Sequence, residues 1–141
     1  MERRVLELGS QDKAWIDANI TRGLQLCEPY VAAPDQTLLP GILDQAFSQL
    51  KANAQADEDA KKEIINALGC LFGVLMSREF GLQWRIVSDD FGTSLALVHS
   101  ASTWETYPLD FVAKRVYSDK EEGSFFQAMH DLMRDELYRN K

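Results

Sequence analysis

The sequence predicts an α+β fold, with helices at both ends of the chain and a small antiparallel sheet between them. Apolar residues recur at helical spacing up to Phe80, and the spacing becomes strand-like alternation directly after Gly81. Helical spacing returns after Pro108. Because helices and strands form separate runs rather than alternating one by one, we expect a three-stranded β-meander with helices packed on one face.

The length and composition of the chain indicate one domain. It has 141 residues, of which 45% are hydrophobic and 26% are charged, and these values are typical of a globular protein with a single core. We divide this single domain, residues 1–141, into an N-terminal helical part, residues 1–56, and a helix–meander–helix part, residues 57–141.

Two helices are predicted in the N-terminal part. The first begins at Ser10, whose hydroxyl can cap it, and runs to about Cys27. Pro29 and Pro34 then interrupt the helical pattern and indicate a connection. A second helix begins at Pro40, which suits a first helical turn. Its apolar face consists of Ile42, Leu43, Ala46, Phe47 and Leu50.

The third helix has clear signals at both ends. Acidic residues from Asp57 to Asp59 favour a helix start, and Gly81 favours a stop after about Phe80. Gly69 and Gly73 lie one turn apart inside this helix, where each glycine costs about 1 kcal/mol relative to alanine. We therefore expect another backbone to pack closely there, with a ligand as the alternative.

Three short strands are predicted after Gly81. The first covers Leu82 to Val87, and a turn at Asp89 to Gly92 connects it to a second strand from Thr93 to His99. A third strand runs from Trp104 to Tyr107. A short helix is predicted from Pro108, followed by a last helix whose apolar stripe consists of Phe126, Met129, Met133 and Leu137.

The net charge, the apolar runs and the cysteines indicate which partners and which cellular location to expect. The net charge of −7 argues against nucleic acid and against anionic membrane surfaces, and it suits a protein partner with a basic surface. The longest apolar run, Ile64 to Met76, is too short to span a bilayer. Cys27 and Cys70 are far apart and form no disulfide framework, so we expect a cytoplasmic protein.

The sequence contains no pattern from which we predict a catalytic, cofactor-binding or metal-binding residue. His99 and His130 lack the spacing of metal ligands, and no glycine-rich phosphate loop or nucleophile elbow is present. Aspartate is a common turn residue, which accounts for Asp89 and Asp90. Asp90, Phe91 and Gly92 match the Asp-Phe-Gly motif of protein kinases, but the other kinase motifs are missing from the sequence. We therefore expect a protein that is not an enzyme.

A possible interaction surface is the one functional feature that the residues support. Lys114 and Arg115 are the only concentrated basic step near the meander, and they can combine with nearby aromatic side chains into a binding edge. Asp89 and Asp90, in the turn between the first two predicted strands, form a second charged feature. The candidate interaction surface consists of Trp104, Tyr107, Lys114, Arg115, Asp89 and Asp90.

A pattern in the C-terminal half resembles a known bacterial family. It consists of Leu68-Gly69, Gly73, Gly81-Leu82-Gln83-Trp84, Asp89 or Asp90 with Gly92, Ala96, Tyr107-Pro108, Val112 and Lys114-Arg115. Over roughly residues 57–117 this is similar to the family called domain of unknown function 3806. The resemblance implies a bacterial origin and a helix–meander–helix unit, and it supplies no activity or catalytic residues.

Three functions remain open on the sequence alone. The first is a non-enzymatic, soluble interaction domain of the adaptor or immunity type, whose acidic surface covers a basic partner. The second is a small-ligand sensor with a pocket near Gly69, Gly73 and Trp84. The third is an enzyme whose site is assembled from distant residues, with Asp89, Asp90, His99 and Arg115 as the first candidates.

Overall fold

Five α-helices and one antiparallel sheet form the α+β fold that the sequence predicts. The computed structural model describes residues 3–31, 40–100, 104–118 and 124–139. The helices are α1 (Ser10–Cys27), α2 (Pro40–Asn53), α3 (Glu58–Phe80), α4 (Pro108–Val116) and α5 (Phe125–Arg139), with a 3-10 turn at Glu28–Tyr30. The strands are β1 (Arg4–Leu6), β2 (Leu82–Asp89), β3 (Gly92–His99) and β4 (Glu105–Thr106).

The sheet has four strands in the order β1-β2-β3-β4, so the predicted three-stranded meander is present as β2-β3-β4 and has one additional strand at its edge. The additional strand, β1, pairs with β2 through Val5 and Val87, and it places a strand in the part predicted to be helical. Its three residues are too few to show an alternating pattern. The pairing of β2 with β3 runs in register from Leu82 opposite His99 to Asp89 opposite Gly92.

Helix ends follow the predicted chemistry at α3 but not at α1. The carboxylate of Asp57 accepts the backbone N–H of Ala60 at 3.0 Å, and Gly81 ends α3 with a φ of 67°. At α1 the capping residue is Gly9, and its N–H donates to the carboxylate of Asp12 at 2.8 Å. Ser10 is therefore the first helical residue, and the prediction that its hydroxyl caps α1 was wrong.

The core is built around α3. Helices α1, α2, α4 and α5 and strand β2 all contact α3, which is why ten of its residues are buried. Five phenylalanines from α2, α3, α4 and α5 have rings in contact, and they fix how these helices pack. These five residues are Phe47, Phe72, Phe111, Phe125 and Phe126.

Close packing explains the two glycines inside α3. A methyl group added at Gly69 would lie 3.0 Å from the Cα of Leu109, so the backbone of α4 passes directly over this position. At Gly73 the same methyl group would overlap the indole ring of Trp84. The predicted close approach of a backbone is therefore present at Gly69, whereas at Gly73 a side chain fills the space.

A carboxylate on α2 caps the start of α5. Asp44 accepts the backbone N–H of Phe126 at 2.8 Å and that of Gln127 at 3.1 Å. Partial burial raises the pKa of the Asp44 carboxyl, although the two N–H donors lower it. This contact joins two helices that are far apart in sequence, and it satisfies backbone donors that α5 cannot satisfy itself.

No helix among the described residues is long and apolar enough to cross a membrane.

Replacing Gly73 by alanine should destabilise the fold. The added methyl group would overlap the Trp84 ring, and such overpacking lowers the free energy of unfolding by about 1–3 kcal/mol. Gly41→Ala is the matched control, because the nearest atom to a methyl group there is the Oε1 of Gln127 at 3.9 Å. Urea unfolding of both variants measures the difference, and equal stabilities would contradict the packing described.

Replacing Asp44 by alanine should also lower the free energy of unfolding, by about 1–2 kcal/mol, because two N–H groups of α5 lose their acceptor. Asp135→Ala, which removes an exposed carboxylate from the same helix that Asp44 caps, is the control and should change stability by less than about 0.5 kcal/mol. Thermal unfolding followed by circular dichroism tests both. Equal effects of the two substitutions would argue against a cap.

Candidate functional site

Three residues of the candidate interaction surface line one groove. Tyr107, Lys114 and Arg115 contribute to a groove of about 570 Å³ between β4, α4 and Met129 of α5, and we refer to it as the β4–α4 groove. Trp104 is partly buried against the core and is not among the residues that line this groove.

Asp89 and Asp90 of the candidate surface lie elsewhere, at the turn between β2 and β3, and neither lines the β4–α4 groove. The structure therefore brings three of the six residues together and separates the acidic pair from them.

Of the two basic residues of the β4–α4 groove, Arg115 is engaged in packing, whereas Lys114 is exposed. The guanidinium carbon of Arg115 lies 5.2 Å from the ring centre of Phe111 and 5.6 Å from that of Phe125. The ammonium of Lys51 donates to the backbone carbonyl of Arg115 at 2.7 Å. Because Glu105 and Asp110 also line this groove, its charges are balanced.

Tyr107 takes part in a polar cluster that joins segments next to both edges of the sheet. Its hydroxyl donates to Glu105 on β4 at 3.1 Å, and the guanidinium of Arg3, which directly precedes β1, donates to the same carboxylate. Burial raises the pKa of Tyr107, whereas the hydrogen bond with Arg3 lowers it. The cluster thus links the residue before β1 to β4 through side-chain hydrogen bonds.

The turn between β2 and β3 presents an aromatic side chain to solvent. Phe91 is 99% exposed, more than any other large hydrophobic residue in the described part of the chain. The carboxylate of Asp89 accepts the N–H of Phe91 at 2.8 Å, and Gly92 has a φ of 126°, which favours glycine. We call this segment, residues 89–92, the hairpin tip.

His130 is buried in a polar network that its sequence neighbours did not reveal. Its ring is 4% exposed and interacts with Glu79 through Nε2 and with Asp131 through Nδ1 at 3.3 Å. Arg134 lies 3.4 Å from the same Nδ1. Hydrogen bonds from Gln127 and His130 lower the pKa of Asp131. Because Glu79 is on α3 and His130 is on α5, only the packing of the two helices brings them together.

The residues named for a possible enzyme do not form a constellation. His99 and the pair Asp89 and Asp90 lie at opposite ends of β3, and a strand of this length spans roughly 23 Å. Arg115 is on α4, in the β4–α4 groove. No cluster of three or more histidine, cysteine or acidic residues that could hold a metal ion occurs within the described part of the chain.

The two cysteines are free thiols in the core. Both are fully buried, and burial raises the pKa of Cys27 and of Cys70 to about 12. A thiol with such a pKa is almost entirely protonated at neutral pH and is a poor nucleophile.

The comparisons with known proteins identify one family. The model of the family described as domain of unknown function (DUF3806) matches residues 43–125, which is more than half of the chain. The match contains the segment on which the resemblance rested and covers α3, β2, β3, β4 and α4. Neither the curated proteins nor the solved structures contain a match to this chain.

The two thiols should react slowly with a disulfide reagent such as DTNB in the folded protein. Burial both shields Cys27 and Cys70 and keeps them protonated. In urea the thiols regain a pKa near 8.5, so both should react quickly at pH 8. The absorbance of the released thiolate measures the two rates. A cysteine that reacts equally fast in both conditions would show that its site is open.

Proposed function

We propose that this chain, which belongs to the DUF3806 family, is a protein-interaction domain that contacts its partner through the hairpin tip. In this proposal Phe91 enters an apolar pocket of the partner, and Asp89 and Asp90 face basic residues around that pocket. The proposal keeps the acidic, non-enzymatic role expected from the sequence and assigns it to one element of the structure.

The exposure of Phe91 is the observation that carries the proposal. Its side chain is 99% exposed, whereas the other large hydrophobic side chains on the described surface are 40–54% exposed. Burying a phenylalanine side chain contributes about 1.5–3 kcal/mol, so a partner that covers this ring gains a large part of its affinity there. Aromatic side chains are common as the central residues of interfaces.

The hairpin tip is also held by hydrogen bonds, which favours its use as a binding element. The β2–β3 pairing continues in register to Asp89 and Gly92, directly at the turn. The hydrogen bond from the Phe91 N–H to Asp89 then fixes the turn itself. A preformed element loses little conformational entropy on binding, so more of the contact energy contributes to affinity.

The charge around the tip favours a basic partner. Asp89 and Asp90 directly precede Phe91 in a chain of net charge −7. Complementary charge accelerates association and makes it sensitive to salt, while the apolar contact controls dissociation. This combination fits the adaptor or immunity-type role.

Strand β1 adds exposed apolar residues near the end of the sheet that carries the hairpin tip. Val5 is 47% exposed and Leu6 is 48% exposed, and the register places Arg4 of β1 opposite Ser88 near the end of β2. Because successive residues of a strand point to opposite faces, one of these two side chains can extend the apolar contact from Phe91 along the sheet.

The pocket near Gly69 and Gly73 that the sequence suggested for a small-ligand sensor is filled by side chains. Leu109 covers Gly69, and the indole of Trp84 covers Gly73, so side chains fill the space between the sheet and α3. A ligand site needs a different location.

Replacing Phe91 by alanine should abolish capture of the partner. Immobilised wild-type protein and the variants Phe91→Ala and Leu132→Ala are incubated with a lysate of the source cell, and the retained proteins are identified by mass spectrometry. Leu132 is 54% exposed on α5, so Leu132→Ala is a matched loss of apolar surface outside the tip. A protein retained by the wild type and by Leu132→Ala, but not by Phe91→Ala, is the expected result.

The purified pair then gives the affinities. Phe91→Ala should weaken binding by about 30-fold or more, which corresponds to a hot spot of about 2 kcal/mol. Asp89→Asn keeps the acceptor for the Phe91 N–H and should mainly slow association and reduce its salt dependence. Equal affinities of Phe91→Ala and Leu132→Ala would overturn the proposal.

A further inference from the structure

A second surface feature lies on the other side of α3, away from Gly69 and Gly73. Helices α1 and α5 both pack on α3 and leave between them a groove of about 730 Å³, which we call the α3 groove. Its volume is within the range of roughly 300–1,000 Å³ that is typical of small-molecule sites. Its lining includes Ile20, Leu24, Leu71, Val74 and Leu75.

These aliphatic side chains give the α3 groove an apolar floor that solvent reaches. Leu24 on α1 is 48% exposed, and Ile20, Val74 and Leu75 are partly buried. Along α3 the floor runs from Leu71 towards residue 78, a distance of about 10 Å at the rise of an α-helix. A short hydrocarbon chain would be covered along this length.

The ionisable side chains of the α3 groove are Arg78, Glu79, His130 and Arg134. Glu79 is occupied within the protein, because His130 hydrogen-bonds to it and Arg134 lies 3.8 Å from its other oxygen. Arg78 is exposed, and its guanidinium makes no hydrogen bond or ion pair with any residue that the structure describes. Arg134 and His130 also interact with Asp131 next to the groove, so of the two guanidinium groups it is that of Arg78 that has no carboxylate partner in the described part of the chain.

We propose that the α3 groove binds a small monocarboxylic acid with an apolar tail. The ligand carboxylate would pair with Arg78 beside Arg134, and its tail would lie on the aliphatic floor towards Leu24. A cationic ligand would be repelled by Arg78, and a neutral one would leave Arg78 without a counter-charge. This site is separate from the hairpin tip and does not depend on the interaction role.

Octanoate is the probe for this site, and 1-octanol is the uncharged comparison. Binding is measured by isothermal titration calorimetry below the concentration at which the probes aggregate, and chemical shifts of backbone amides in α1 and α3 locate the site. Octanoate should bind more tightly than octanol, although octanol is the more apolar molecule. Arg78→Gln should weaken octanoate binding about fivefold and leave octanol binding unchanged.

Two further variants separate the charge from the apolar floor. Lys62→Gln removes an exposed cation from α3 outside the groove and should leave octanoate binding unchanged. Leu24→Glu changes an already exposed side chain and should weaken both probes, because it places a charge on the floor. Circular dichroism confirms that each variant folds.

Equal binding of octanoate and octanol, equal effects of Arg78→Gln and Lys62→Gln, or no binding of either probe would overturn the assignment. Phe91→Ala should bind octanoate as the wild type does, so failure at the hairpin tip and failure at the α3 groove are distinguishable.

Discussion

The close packing of α3 against its neighbours is the constraint on which the rest of the structure depends. Contact with four helices and a strand is attainable only where the side chains at the crossings are small. Gly69 and Gly73 admit Leu109 and Trp84, and on α1 a methyl group at Gly23 would lie 2.7 Å from the carbonyl oxygen of Ala67. These approaches set the positions of α1, α4 and β2, and thereby those of the hairpin tip and the α3 groove.

The sequence predicts those parts of the fold whose signals are local. Asp57 and Gly81 mark the ends of α3, and alternation with the turn from Asp89 to Gly92 marks β2 and β3, because capping and turn chemistry depend on neighbouring residues. Strand β1 could not be predicted, since three residues are too few to show an alternating pattern of apolar residues and their pairing partner is distant in the chain. The same holds for the cap that Asp44 provides to α5.

The candidate sites show the same division. Tyr107, Lys114 and Arg115 could be placed together because Tyr107 precedes α4 directly and the two basic residues lie within it. The exposure of Phe91 could not be predicted, since an aromatic residue in a turn is as compatible with burial as with solvent. The α3 groove is defined by the space that α1 and α5 leave between them, and no sequence pattern describes a space.

The pairing of β1 with β2 has a consequence for how the chain folds. Val5 finds its partner only after Val87 has been synthesised, so most of α1, α2 and α3 can form before the sheet is complete. Closing so long a loop is entropically costly, and its gain is confined to three paired residues. We therefore expect β1 to dock late during folding, and its amide hydrogens to exchange with solvent by local opening well before those of α3.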